Sequence, residues 1–145
     1  MANSIGAKTF DINKYIFTFG SIVVSGLASG TFVDITFDAP FYVSSQGTDG
    51  EVCRVLRNKT MATITLTLMQ SSATNDLLSA ALEADRAGNI QEPLVIKDLN
   101  GTTVAIATQC WIEQKPKVTF GDETQNREWT IKAANLVEFV GGNFA

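Results

Sequence analysis

Histidine is absent from this chain of 145 residues. Because histidine is the side chain best suited to proton transfer near neutral pH, most catalytic hypotheses lose their first candidate residue. Serine–histidine–aspartate triads and cysteine–histidine pairs are excluded outright. A phosphate-binding glycine loop and a Gly-x-Ser-x-Gly elbow are missing as well. The sequence therefore predicts no enzyme, no catalytic residue and no bound cofactor.

Cysteine is scarce too, with Cys53 and Cys110 far apart in the sequence. Two reduced and mostly buried thiols are a better interpretation than a disulfide, and a metal pair without histidine is weaker still. Three acidic pairs occur, at Asp49/Glu51, Glu83/Asp85 and Asp122/Glu123. No pocket-like pattern surrounds these pairs, so solvated loops explain them better than acid–base catalysis. We therefore expect no metal site.

An excess of positive charge is also lacking, since the net charge is −4. A general nucleic-acid-binding protein needs clustered Lys and Arg, so this balance argues against one. The one small basic cluster, Arg54, Arg57 and Lys59, fits surface ion pairs better than phosphate contact. No apolar run approaches the roughly 18–20 residues that span a bilayer, and the N-terminus lacks the apolar stretch of a secretory signal. We therefore expect no membrane insertion.

Alternation of apolar and polar residues with period two runs through most of the chain. In the clearest case, residues 63–68, Ile64, Leu66 and Leu68 would line one face of a strand and three threonines the other. A single domain of this length, residues 1–145, buries a core without needing a disulfide or a metal. The sequence predicts a mainly β fold, an antiparallel β-barrel or two-sheet sandwich with one flanking α-helix.

The helix is predicted at about residues 74–87, where Leu77, Leu78 and Leu82 recur at helical spacing. We expect this stripe to cover one barrel opening or a sheet face rather than to form a ligand groove. Asp76 suits the positive end of the helix dipole, and Gly88 is expected to end the helix.

Further signals organise the rest of the chain. Asn100-Gly101 separates two short strands and predicts a tight hairpin turn in which both residues have positive φ. Residues 129–139 alternate well enough to predict one long strand, with Asn135 as a polar break on its apolar side. Residues 1–11 are small and polar, and predict an extended N-terminal arm.

Residues 40–57 are predicted to form a protruding hairpin or loop. The first limb mixes aromatic with small polar residues, and residues 51–57 carry apolar side chains on both faces. A β segment without a clean inner face often packs against another chain. An exposed edge hairpin is the alternative, and the sequence leaves both open.

Two stretches carry a resemblance to known proteins. The first runs from residues 9–13 (TFDIN) through 17–20 (FTFG) to 34–38 (DITFD), and the second joins 117–121 (KVTFG) to 128–133 (EWTIKA). Together they resemble the tail tube proteins of contractile-tailed bacteriophages, over most of the chain. Such proteins are similar in fold to the tube protein of type VI secretion, in which two packed antiparallel sheets close into a barrel beside one helix.

The resemblance implies a structural virion protein of the tail, with rings of six subunits stacked into a hollow inner tube that conducts DNA to the host. DNA would pass through the lumen without specific binding, and the acidic chain fits this because a basic lumen would hold DNA phosphate. The implied partners are further copies of the chain, the tail sheath, the baseplate hub and the tape measure protein, with assembly in the host cytoplasm.

By analogy, the N-terminal arm and the segment 40–57 would make contacts between subunits and between rings. The expected interface residues are Phe41, Tyr42, Val43, Asp49, Glu51, Arg54 and Arg57.

Other functions compete with this interpretation. A monomeric β-barrel that holds a small apolar ligand needs an uncrowded interior, whereas Phe17, Phe37 and Trp129 are large inward residues. Another structural protein of the phage tail or baseplate would fit the same patterns. A small hydrolase that uses paired carboxylates has no supporting motif.

Overall fold

The computed structural model describes residue 7 and residues 9–142. Within them, ten strands and one helix follow in chain order: β1 Tyr15–Phe19, β2 Ile22–Val23, β3 Val33–Phe37, β4 Tyr42–Gln46, β5 Val52–Leu56, β6 Ala62–Leu68, α1 Thr74–Gly88, β7 Glu92–Asp98, β8 Val104–Gln114, β9 Arg127–Ala133 and β10 Leu136–Phe139. The mainly β fold with one helix is confirmed. The predicted N-terminal arm at residues 1–11 falls largely outside the described residues.

Eight of the strands form one antiparallel sheet in the order β2-β1-β7-β8-β9-β6-β3, with β10 added on β8. The remaining two, β4 and β5, pair with each other in a separate sheet. The long strand β8 is shared between partners: residues 104–107 pair with β7 and β10, and residues 110–114 pair with β9.

The two ends of this strand path, β2 and β3, are linked through residues 24–28. The Val24 N–H donates to the Phe17 carbonyl at 3.0 Å, and the Ala28 N–H donates to the Thr67 carbonyl at 3.1 Å. Because Phe17 lies in β1 and Thr67 in β6, backbone hydrogen bonds through this segment connect both sides of the curled sheet.

The core lies inside the curl, where inward side chains meet in register. One row joins Ile35, Ile64, Ile131 and Ile112 across β3, β6, β9 and β8. Another row joins Phe19, Leu94, Ala107 and Leu136 across β1, β7, β8 and β10. Except for the half-buried Ile35, all of these side chains are buried, and each large one stabilises the fold by about 1.5–3 kcal/mol.

The helix α1 covers the end of the core near Phe19. Leu78 is fully buried and joins the core cluster, whereas Leu77 is about half exposed. Leu77 therefore does not belong to the buried stripe, which is narrower than the spacing of the leucines in the sequence predicts. Asn89, with φ of 55°, takes the left-handed position that ends the helix, and its N–H donates to the Asp85 carbonyl, so the prediction that Gly88 would do so is wrong.

The hairpin predicted around Asn100-Gly101 is confirmed, since β7 and β8 pair antiparallel and the Gly101 N–H donates to the Asp98 carbonyl at 3.4 Å, but the predicted positive φ values are wrong. Residues 99–103 connect β7 to β8, and neither Asn100 nor Gly101 has a positive φ. Asn100 is buried instead: its Nδ2 donates to the Asp11 carbonyl at 2.8 Å, and its Oδ1 accepts from the Asp11 N–H at 3.0 Å. This side chain ties the segment before β1 to the β7–β8 connection, a long-range contact that a local turn signal does not reveal.

The single long strand predicted at residues 129–139 is two strands, β9 and β10. The chain turns at residues 134–135, where Asn135 Oδ1 accepts a 2.7 Å hydrogen bond from the Thr60 hydroxyl. Alternation resumes in the opposite phase, so Leu136 is buried while Val137 and Phe139 are exposed. A register change of one residue moves every side chain to the other face.

Candidate assembly surfaces

The most exposed structured element is the hairpin formed by β4 and β5, in which all ten strand residues are exposed. At its base, the rings of Phe37 and Phe41 meet edge to face with centroids 4.9 Å apart. The Arg57 N–H donates to the Phe41 carbonyl at 2.7 Å and closes the ladder. Because a two-stranded hairpin alone is marginally stable in water, this element gains stability from any surface that covers it.

The tip of the hairpin is built by local hydrogen bonds. The Gly47 N–H donates to the Glu51 carbonyl at 2.8 Å, and Asp49 Oδ1 accepts from the Glu51 N–H at 3.2 Å. Gly50 has φ of +91°, a conformation that favours glycine. The tip therefore presents two carboxylates, those of Asp49 and Glu51, and no basic residue occurs between positions 41 and 53.

The two faces of the hairpin differ in chemistry. Opposite residues of an antiparallel ladder point to the same side. The valine face comprises Val43, Ser45, Cys53 and Val55, and the tyrosine face comprises Tyr42, Ser44, Gln46, Val52, Arg54 and Leu56. On the tyrosine face the Arg54 guanidinium lies 4.4 Å from the Tyr42 ring centroid, which is a cation–π contact. The valine face has no charged side chain along its ladder.

The predicted interface residues are distributed along the whole hairpin: Phe41 and Arg57 at the base, Asp49 and Glu51 at the tip, Tyr42 and Arg54 on the tyrosine face, and Val43 on the valine face. That set omitted Val52, Val55 and Leu56, which are 68, 55 and 61% exposed. The signal was present in the sequence, because residues 51–57 carry apolar side chains at both odd and even positions.

A second exposed surface lies on the outside of the sheet formed by β2, β1, β7, β8 and β10. One register row joins Val23, Thr18, Val95, Ile106 and Val137. The next row joins Ile16, Lys97, Val104 and Phe139. We call these two rows the apolar face. Val137 is 72% exposed and Phe139 60%, and only Lys97 among the nine side chains is charged.

The outside of β3, β6 and β9 has the opposite character. One row joins Asp34, Thr65 and Thr130, and the next joins Thr36, Thr63 and Lys132. We call these two rows the threonine face. At its edge, Nζ of its member Lys132 lies 2.6 Å from Asp38 Oδ2 and 2.8 Å from the Thr63 hydroxyl. The hydrogen bond from Lys132 is the main cause that holds the pKa of Asp38 below its ordinary value, with the Thr63 hydroxyl adding to it.

A cavity of about 470 Å³ lies at the end of the sheet away from α1. Its lining is mostly apolar and includes Phe10, Tyr15, Phe17 and Phe32, with the carboxylate of Asp98 at its edge. Burial, followed by the charge of Asp98, raises the pKa of the Tyr15 hydroxyl. None of the three acidic pairs singled out in the sequence lines this cavity.

The described residues contain no group of three or more Cys, Asp or Glu side chains placed to hold a metal. The prediction that both thiols are mostly buried is wrong for Cys53, which is exposed on the hairpin, and correct for Cys110. Burial raises the pKa of the Cys110 thiol to about 11. In the part of the chain described, α1 is too short and too polar to cross a bilayer.

Known proteins of phages and related particles are similar to this chain in sequence or in fold. "Structural protein ORF10" of Pseudomonas phage KPP10 is 25% identical over 126 residues, which cover 85% of this chain and 73% of that protein. Among solved structures, a chain of the anti-feeding prophage cap, the tube-terminating cap, has a TM-score of 0.61 at 15% identity and covers 94% of this chain and 95% of its own.

Two further structures come from an extracellular contractile injection system. A chain of its sheath/tube terminator in the extended state has a TM-score of 0.63 at 13% identity, with 92% of this chain and 99% of that chain covered. A chain of its extended sheath–tube complex has a TM-score of 0.59 at 12% identity, with 90 and 91% covered. At these identities the likeness concerns the fold alone.

The family described as bacteriophage PhiTE tail tube protein matches residues 10–141. This match includes both stretches on which the sequence resemblance rests, except for residue 9, and the resemblance to phage tail tube proteins is confirmed. Since the match spans nearly the whole chain, the chain belongs to the bacteriophage PhiTE tail tube protein family and is a structural protein of the phage tail.

Proposed function

We propose that copies of this chain form rings, six subunits each as the family resemblance implies, and that the rings stack into the inner tail tube that conducts DNA. The observation that carries the proposal is the β4–β5 hairpin, which exposes apolar side chains on both faces. A single chain cannot bury both faces of a projecting hairpin, whereas a stacked assembly surrounds it. The seven residues expected at the interface, from Phe41 to Arg57, are therefore proposed as its contacts.

Contacts within a ring are proposed at the free edge of β3. This strand pairs only with β6 in the described sheet, so its other edge carries unpaired backbone groups. Its inward side chains Val33, Ile35 and Phe37 are only partly buried, although their register partners in β6 are fully buried. A strand from a neighbouring subunit would complete both the hydrogen bonding and the burial.

The threonine face is proposed as the wall of the DNA channel. Its hydroxyl groups hydrate well and carry no charge, Asp34 adds a carboxylate, and its one lysine, Lys132, is held by Asp38. A wall of this kind offers no free cluster of cations to DNA phosphate, and the net charge of −4 acts in the same direction. DNA would therefore pass without specific binding.

The proposed partners follow from this placement. A tube within a contractile tail contacts a sheath outside it, a baseplate hub at its end and a tape measure protein inside it during assembly. One of the structures with the same fold is a sheath–tube complex. Assembly is proposed to take place in the host cytoplasm, with the finished tube in the virion tail, and the role is structural rather than catalytic.

The test is electron microscopy of the purified protein beside two variants. Deleting residues 44–50 removes only exposed residues, so the variant should fold, losing only the hairpin's share of the β circular dichroism signal, yet form no tubes. The control is Val118→Asp, an exposed position outside both proposed contacts, which should assemble normally. Normal tubes from the deletion variant would contradict the axial role of the hairpin. A wild-type protein that stays monomeric even with a nucleating baseplate would contradict the tube itself.

A second candidate function rests on the cavity. Its volume of about 470 Å³ falls within the range of roughly 300–1,000 Å³ that is usual for small-molecule sites. A monomeric apolar-ligand carrier would elute as a monomer and retain an extractable ligand under native mass spectrometry. Concentration-dependent growth of rings without a ligand would exclude this alternative.

A further inference from the structure

We propose that the apolar face of one subunit is the receptor for the valine face of the β4–β5 hairpin of another subunit. This inference rests on the proposed function, since it names the surface on which the axial contact is made. Both surfaces belong to described residues, both are exposed or half-exposed, and both are mostly apolar, with Thr18 and Lys97 as the polar members of one and Ser45 of the other. Monomeric soluble proteins rarely leave two such patches uncovered.

The dimensions of the two surfaces agree. Each hairpin strand has five residues, which at a rise of about 3.4 Å extend about 17 Å. The register row from Val23 to Val137 crosses five strands, and four spacings of about 4.8 Å give about 19 Å. A hairpin laid across these strands would therefore cover the row from one end to the other.

Charge favours the valine face of the hairpin for this contact. Lys97 is the one cation within the apolar face, and the hairpin tip carries Asp49 and Glu51. Glu51 continues the valine face, because it alternates in phase with Cys53 and Val55. Arg54 lies on the opposite face, stacked on Tyr42, where it would not meet Lys97. The valine face thus brings a carboxylate toward Lys97 and keeps the arginine away from it.

The contact also explains how an assembly continues. The hairpin and the apolar face are different surfaces of one chain, so their contact is heterologous. A heterologous contact leaves an unused hairpin and an unused face on every open complex, so it propagates until a ring closes or continues as an open stack. Self-pairing of two hairpins would instead stop at a dimer.

The native Cys53 provides the test, because it lies on the valine face and is exposed while Cys110 is buried. Val95→Cys, Ile106→Cys and Val137→Cys each place one thiol along the receptor row. A disulfide needs Cα atoms within about 7 Å, whereas two sheets packed face to face lie about 10 Å apart, so the two thiols are joined with a bis-maleimide whose spacer is about 10 Å long. Neighbouring positions in the row are about 5 Å apart, so at least one variant should be within reach of Cys53. Assembled tubes are treated with this cross-linker, quenched with excess thiol and run on a denaturing gel.

The expected result is a ladder of dimers, trimers and longer multimers from at least one of the three variants. Val118→Cys is the matched control and should give no ladder, and adding Cys53→Ser should abolish the ladder. As an independent measurement, Lys97→Glu should raise the critical concentration for assembly by about two- to fivefold, and Glu51→Lys in the same chain should reverse the change.

Each other outcome is decisive. Tubes that are normal by electron microscopy but give no ladder with any of the three variants overturn the receptor assignment and leave the proposed tube intact. Ladders that stop at the dimer overturn it too, because they indicate an isologous contact. A wild-type protein that forms no assembly overturns the proposed function, and this contact with it.

Discussion

The threonine face and the apolar face belong to the same curled sheet, and both cover a buried apolar layer. On the threonine face, the outward row of Thr36, Thr63 and Lys132 lies next to the fully buried row that contains Ile64 and Ile131. On the apolar face, the outward residues Val95, Ile106 and Val137 are as apolar as the inward ones. One region of the sheet therefore presents polar side chains to water, whereas the other presents apolar side chains, which are proposed to be covered by another subunit.

The difference shows what period-two alternation reports. Strand β6 alternates strictly because only one of its faces is buried. Strand β10 does not alternate cleanly, because Leu136 faces the core while Val137 and Phe139 face outward. A weak alternation in an otherwise regular sheet is therefore evidence for a second buried face, which in this protein is proposed to be buried by another subunit.

The largest effect on assembly is expected from a single charge placed on the apolar face. Val137→Asp places a carboxylate in the proposed contact, where burying an unpaired charge costs several kcal/mol, and should abolish tubes while the monomer stays folded. Thr130→Asp places the same charge on the threonine face and should leave assembly unchanged. Sedimentation and electron microscopy measure both. Equal loss of assembly from both variants would show that the two faces do not differ in this role.

Next in size is a change in the core that both faces share. Leu78→Ala removes a fully buried side chain and should lower the free energy of unfolding by about 2–5 kcal/mol, which corresponds to roughly 5–15 °C in Tm. Leu77→Ala, one residue earlier and about half exposed, should change Tm by less than about 3 °C. Thermal melts followed by circular dichroism compare the pair. A small effect at Leu78 would mean that α1 does not close the core.

Much of the fold was predictable because it is recorded in local periodicity. The run at residues 63–68 alone identified a strand with one buried face, and the leucine spacing identified α1. The break at Asn135 was harder, because its effect depends on the hydrogen bond from Thr60, 75 residues away. Asn100 was misinterpreted for the same reason: its partner Asp11 is 89 residues distant.

The surfaces were predictable only in part. The mixed faces of residues 51–57 pointed to the hairpin, but they did not distinguish a contact with another chain from an exposed edge hairpin. The apolar face could not be predicted from the sequence, because its rows combine residues from five strands that are adjacent only after pairing. A single Val or Ile at an outward position is normal in any strand, and only the register shows that several of them form a continuous surface.

The reactivity of the two thiols measures whether the valine face is exposed in the monomer and covered in the tube. Cys53 should react rapidly with a thiol reagent in the monomer, whereas Cys110, buried and with its pKa raised to about 11, should react only after unfolding. Unfolded protein should titrate two thiols, since neither is in a disulfide. In assembled tubes Cys53 should become protected if the valine face is covered. Undiminished reactivity of Cys53 in tubes would place that face in solvent.

The channel assignment predicts a smaller, salt-dependent effect. Thr130→Lys adds one cation to the threonine face, so assembled tubes should retain short duplex DNA at low salt and release it between about 50 and 200 mM. Thr130→Gln is the neutral control and should retain none. Co-sedimentation of DNA with tubes gives the measurement. Retention by tubes of the lysine variant equal to that of the control would remove the threonine face from the channel wall.

The smallest expected effect concerns the ion pair beside the threonine face. Asp38→Asn should lower the free energy of unfolding by about 1 kcal/mol or less at neutral pH, because Asp38 and Lys132 lie at the surface. The pKa of Asp38 is lowered on folding, so its contribution is present above the pKa of the unfolded chain, which is about 4. The contribution is lost as the pH falls through the still lower pKa of the folded state, because the protonated carboxyl no longer pairs with Lys132.

The difference between wild type and Asp38→Asn in urea unfolding should therefore be constant from about pH 7 to 5 and shrink below about pH 4. A double-mutant cycle with Lys132→Met isolates the pair. A difference that grows as the pH falls would contradict the geometry, since it would require the protonated form of Asp38 to be the stabilising one.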